Sequence, residues 1–110
     1  MNNRNKEWYK SELEAAEIYG KRVSMSGAGV DKLDVTGENE FDRFKFDNKY
    51  TDKKSFSINR DDFERMIRQA KLSGHEFIAR IDLGGKLKLI CMEERAFINN
   101  FQNENSEGNI

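Results

Sequence analysis

The chain has one cysteine, one histidine and almost no net charge, with 19 basic residues against 20 acidic ones giving a formal charge of −1 over 110 residues. A lone Cys91 has no partner for an internal disulfide, and its place in the apolar run LKLICM marks it as a packed thiol suited to a reducing compartment. Charge balance excludes the uniformly basic body of a histone-like binder, so any nucleic-acid surface is local. No segment approaches the ~18 apolar residues of a membrane span. The opening MNNRNKEW lacks the apolar stretch of a signal peptide, and a soluble, cytoplasmic protein is expected. No Ser-His-Asp or Cys-His arrangement, CxxC pair or GK[ST] phosphate loop occurs. The sole histidine, His75, follows Gly74 and reads as a surface turn residue.

What is present suits one compact domain, since 36% hydrophobic residues in 110 leave room for a single core. KEWYKSELEAAEIY (6–19) predicts a helix with Trp8, Tyr9, Leu13, Ala15, Ala16 and Tyr19 on one side, ended by Gly20. The Ser/Gly-rich KRVSMSGAGVDK reads as a loop. Strands are expected at Leu33–Thr36, over 43–50 and at Ser55–Ile58. Asn59 caps a second helix, with Asp62 three residues on, that runs to Ser73-Gly74. Alternating Phe77, Ala79, Ile81 and Leu83, a two-residue Gly84-Gly85 turn, then Leu87, Leu89 and Cys91 predict a hairpin. A short last helix from Glu93 buries Phe97, Ile98 and Phe101. The order αβββαββα describes an α/β or α+β layer structure, with a single domain over 1–101 and a disordered polar tail over 102–110.

Two-residue periodicity puts Asp47 and Lys49 together on the strand face opposite Phe44 and Phe46. Asp34 opens the preceding strand, and pairing of the two strands lays its carboxylate beside that of Asp47. Neighbouring acids repel unless a proton or cation lies between them, and Mg²⁺ answers this with a few carboxylates, water and substrate phosphate. The result is a phosphodiesterase site in which Lys49 stabilises charge growing on the phosphorane. On spacing alone, an Asp followed 13 residues later by D-x-K is equally a surface ion pair in a chain that is 35% charged. Context adds weight: residues 43–60 hold Arg43, Lys45, Lys49, Lys53, Lys54 and Arg60 against only Asp47 and Asp52.

The runs KRVSMSGAGVDKLDV and FDRFKFDNKYTDKKSFSI, the capped helix ending QAKLSG and the hairpin FIARIDLGGKLKLICM resemble a phage or archaeal-type Holliday junction resolvase of the PD-(D/E)XK nuclease superfamily, over about residues 8–98. The resemblance implies a restriction-endonuclease-like fold with a central mixed five-stranded sheet flanked by helices. It implies an Mg²⁺-dependent (or Mn²⁺-dependent) endodeoxyribonuclease that cleaves branched DNA in phage recombination or processing, as a homodimer. Asp34 and Asp47 become metal ligands and Lys49 the catalytic lysine. Ser26-Gly27 becomes a turn approaching the DNA backbone, and Arg22, Lys32, Lys53 and Lys54 complete the expected DNA contacts. The family's first-helix acid corresponds best to Glu12, a third metal ligand, because it falls among Trp8, Ala15, Ala16 and Tyr19, whereas Glu14 points the other way and Glu7 is an alternative. Leu33 stands where relatives often have Gly, and Asp47 replaces the commoner Glu. A nuclease for another DNA structure, or a catalytically silent DNA-binding module of the same fold, is the alternative reading.

Overall fold

The computed structural model describes residues 3–23 and 33–108. Along them run α1 (Asn3–Tyr19), β1 (Gly20–Arg22), β2 (Val35–Gly37), a 3-10 turn (Asn39–Phe41), β3 (Phe44–Thr51), α2 (Arg60–Leu72), β4 (Glu76–Leu83), β5 (Leu87–Met92) and α3 (Glu94–Gly108). The strands form one mixed sheet in the order β1-β2-β3-β4-β5, parallel only between β3 and β4. The architecture is α+β. A parallel pair cannot be joined by a hairpin, so the chain crosses from β3 to β4 through α2.

The crossover puts α2 on one face of the sheet, and α1 covers part of the other. Val35, Phe44, Phe46 and Ile78 pack with Ala15 of α1. Leu33, Phe77, Ala79 and Ile81 pack with Met66 and Ala70 of α2. β4 is buried on both faces, so its alternation does not separate core from solvent as the sequence predicts: Arg80 and Asp82, between the apolar residues, are each 2% exposed. A buried charge is tolerated only with partners, and these have them. Arg80 Nη1 donates to Asn48 Oδ1 (2.8 Å) and to the Ser11 carbonyl (3.1 Å), while Arg80 Nη2 pairs with Glu14. Ser11 Oγ donates to Asp82 Oδ2 (2.6 Å) and accepts from Asn48 Nδ2 (2.9 Å). This network fastens α1 to β3 and β4.

The string αβββαββα has the expected form with different strands in it. Gly20 does not release the chain into a loop: it begins β1, paired with Gly37 of β2. Ser55–Ile58 is not a strand but part of the crossover, with Phe56 packed against the α2-side core. The hairpin loop spans residues 84–86 between the paired Leu83 and Leu87, with Gly84 and Gly85 at φ of +66° and +75°. Glu14 turns inward to Arg80 and Lys88 rather than outward. Along α1 the buried residues are Ser11, Glu12 and Ala15, whereas Trp8, Tyr9 and Leu13 are each more than 40% exposed. The last helix passes Phe101 and continues to Gly108 through residues expected to be disordered, because each residue added to a formed helix closes one more backbone hydrogen bond. It buries Ala96 in place of Phe97, Ile98 and Phe101.

Candidate functional site

The antiparallel register Val35↔Phe46 and Thr36↔Lys45 carries Asp34 opposite Asp47 on the α2 face of the sheet. The register brings the two carboxyl groups close enough for the charge of Asp47 to act on Asp34. Burial first, and then the charge of Asp47, push the Asp34 carboxyl up to about 8. The Asn48 amide, which donates to Asp34 Oδ2 at 2.8 Å, pulls in the opposite direction. At neutral pH the pair therefore retains a proton that an isolated aspartate would have lost.

Lys49, two residues along β3, has its Nζ 2.8 Å from Asp47 Oδ2 and 3.7 Å from Asp62 Oδ2. An acid of the sheet and an acid of α2 thus hold one ammonium between them. Asp62 is itself held below the usual carboxylate range, chiefly by its hydrogen bond from Arg65. From the other side, Glu12 of α1 is 4% exposed and its charge adds to the rise at Asp34. Glu12 Oε2 is buried without a hydrogen-bond partner, and its nearest cation, Arg22 Nη2, stands 3.6 Å away.

Asp34, Asp47 and Lys49 accordingly meet at one place, with Glu12 facing them from α1. Arg22 is engaged by Glu12 and by the Tyr9 ring, whose centroid lies 4.9 Å from its guanidinium carbon. Lys53 and Lys54 are exposed just beyond β3. Ser26, Gly27 and Lys32 lie outside the described residues. Two participants escaped the sequence reading. Asn48 holds Asp34 with its backbone and Ser11 with its side chain, a double role hidden by its position between Asp47 and Lys49. Asp62 was legible as the residue whose amide bonds the Asn59 cap, at 2.9 Å, but its carboxylate is committed to Lys49 and Arg65.

The site opens into a cleft of about 260 Å³ lined by Asp34, Asp47, Lys49, Trp8, Tyr50 and Phe56. Among the described residues no three of His, Cys, Asp and Glu form a group able to hold a metal ion; the two acids brought together are Asp34 and Asp47. Such a pair fits a hard dication of the magnesium type, which binds through one or two carboxylates and fills its other positions with water and phosphate oxygen. A cation there would take the place of the retained proton. No helix of the described residues is long and apolar enough to cross a membrane. No protein-family model, curated protein or solved structure matches the chain.

Proposed function

We propose that this chain is a metal-dependent endodeoxyribonuclease of the PD-(D/E)XK type, cutting phosphodiester bonds in branched DNA as a Holliday junction resolvase does. The observation that carries the reading is the register that sets Asp34 opposite Asp47 on adjacent strands, with Asp34 held by the Asn48 amide and Lys49 Nζ 2.8 Å from Asp47. A mixed sheet with α1 on one face and α2 on the other is compatible with the restriction-endonuclease-like class. The two aspartates would hold Mg²⁺ or Mn²⁺, and such an ion supplies Lewis acidity and a bound water of lowered pKa. Asp34 would bind such an ion as the carboxylate, releasing its proton to solvent. Lys49, aimed by Asp47 and Asp62, offers a positive charge to the phosphate oxygens as negative charge grows on them. Asn48 fixes Asp34, while Glu12 adds negative potential that favours the cation. Symmetric cutting of a four-way junction needs two such sites, which a homodimer supplies.

Incubating the protein with a four-way DNA junction, with and without Mg²⁺, tests this. Cleavage is expected only with the metal, and Asp47→Asn is expected to lower it by at least about 100-fold, the scale on which a catalytic metal site acts, while DNA binding is kept or tightened. Unchanged cleavage by Asp47→Asn would remove the proposed site. Binding without cleavage under any divalent metal would favour a catalytically silent DNA-binding module.

A further inference from the structure

The cleft holding the carboxylate pair has three aromatic side chains in its wall, Trp8, Tyr50 and Phe56. They come from three parts of the chain. Trp8 stands on α1, Tyr50 near the end of β3, and Phe56 in the crossover, where it packs against the α2-side core. The other rings are used differently. Tyr19, Phe41, Phe44 and Phe46 form stacked and T-shaped pairs with one another, Phe63 pairs with Phe77 and Phe97 with Phe101, and the Tyr9 ring lies against Arg22. Among the described residues Trp8, Tyr50 and Phe56 enter no ring pair.

Trp8 is 42% exposed although it stands on the helix that covers one face of the sheet. An exposed indole beside a carboxylate pair is poor core design, since packing would favour placing it in the interior. A nucleobase supplies the missing partner: every base has a π-face, and stacking on an aromatic ring tolerates any sequence. At about 260 Å³ the cleft falls just below the ~300 Å³ at which drug-sized pockets begin, a size suited to a single base and sugar. A base within a continuous duplex has both faces covered by its neighbours. Only an unpaired or splayed nucleotide presents a free face to the cleft.

We infer that Trp8, with Tyr50 and Phe56, forms a stacking site for one unpaired DNA base beside the Asp34–Asp47–Lys49 site at which the proposed function places the scissile phosphate. This rests on the nuclease reading for the phosphate and deepens it: the substrate is then DNA with an unstacked nucleotide at the cut, as at a branch point or gap, rather than uninterrupted duplex. Lys53 and Lys54, exposed just past β3, supply the sequence-independent attraction for the flanking backbone.

Trp8 is the only tryptophan in the chain, so its emission reports on this site directly. The full-length protein, in chelator so that no DNA is cut, is titrated with oligothymidine, with a duplex carrying a short unpaired gap, and with the same duplex fully paired. Oligothymidine and the gapped duplex are expected to quench Trp8, and the fully paired duplex to leave it unchanged. By anisotropy of labelled DNA, Trp8→Ala is expected to bind the gapped duplex about tenfold more weakly, in the lower part of the range that stacking one base supplies. Trp8→Phe, which keeps a ring, should stay within about threefold, and both variants should match the parent on paired duplex. Absence of quenching by either unpaired DNA, or an equal loss by Trp8→Ala on gapped and paired DNA, would overturn the proposal. The two readings fail separately. Quenching without cleavage under any divalent metal removes the nuclease and leaves the stacking site, whereas metal-dependent cleavage without quenching does the reverse.

Discussion

At the scale of single residues the chain concentrates its electrostatic strain in Asp34. Folding raises this carboxyl from an ordinary 3.8 to about 8, through burial and the neighbouring charge of Asp47. The folded protein therefore binds a proton that the unfolded chain has released. Stability from this source is complete below pH 4 and is lost as the pH climbs through 8. In metal-free buffer the melting temperature is expected to fall by roughly 5–10 °C between pH 5 and pH 8: the full shift is worth about 4 kcal/mol over that range, and solvent screening of a partly exposed carboxyl reduces it to about 1–2 kcal/mol. Asp34→Asn, which cannot ionise, should show a flatter profile and melt above the parent at pH 8. Calorimetry across that range decides it, and parallel profiles for the two proteins would contradict the proposed protonation of the pair. Asp47 and Lys49 were legible as neighbours because a strand repeats every two residues. That Asp34 joins them depends on the register of β2 against β3.

At the scale of elements, glycine decides how closely the first two strands and the turn after them can approach. Gly20 and Gly37 are directly paired. A Cβ on Gly37 would lie 1.9 Å from the Phe41 carbonyl oxygen and 2.8 Å from its carbon. Both are backbone atoms of the 3-10 turn that leads into β3, so the obstacle cannot rotate away as a side chain would. Gly37→Ala is expected to destabilise the protein by about 3 kcal/mol or more, among the larger single-substitution effects, and to displace β2 from β3. Urea denaturation with an unchanged midpoint would show that the turn yields freely. The sequence marks Gly20 as a helix terminator but not as a site of close approach, because the obstructing atoms lie on β2. α2 was easier to read. Its Asn59 cap, its apolar spacing and the stop at Gly74 (φ +77°) are local signals, and each has the expected form.

At the scale of the whole molecule the apolar surface is unevenly covered. β5 is an edge strand in which Leu87, Leu89 and Ile90 are about half exposed, and α3 after it leaves Phe97, Ile98 and Phe101 equally open. Clustered exposure of this kind on a sheet edge and the following helix is what a symmetric partner removes. Within the proposed function, this face is the candidate for the homodimer contact. Lys88 on this strand is already bound to Glu14 at 2.9 Å. Sedimentation is expected to give a dimer at micromolar concentration, and Leu89→Lys to weaken self-association at least tenfold, the effect of about 1.4 kcal/mol, with the circular dichroism unchanged. A monomeric parent, alone and on a four-way junction, would leave a nuclease that makes single cuts.

By itself the sequence determined the class of fold, α2, the β4–β5 hairpin and the shared face of Asp47 and Lys49. Each of these follows from periodicity or from capping and turn chemistry within a few residues. Tertiary structure alone decided that Gly20–Arg22 rather than Ser55–Ile58 supplies the remaining strand, because strand identity is fixed by the partner across the ladder and not by local alternation. It also decided that Glu14, Arg80 and Asp82 are structural, since a polar residue on an alternating strand faces water only where nothing packs against that face. The cleft was beyond the reach of sequence for the same reason. Trp8, Asp34, Asp47 and Phe56 are far apart along the chain, and they share one wall only because β2 pairs with β3 while α1 and the crossover close over its two sides.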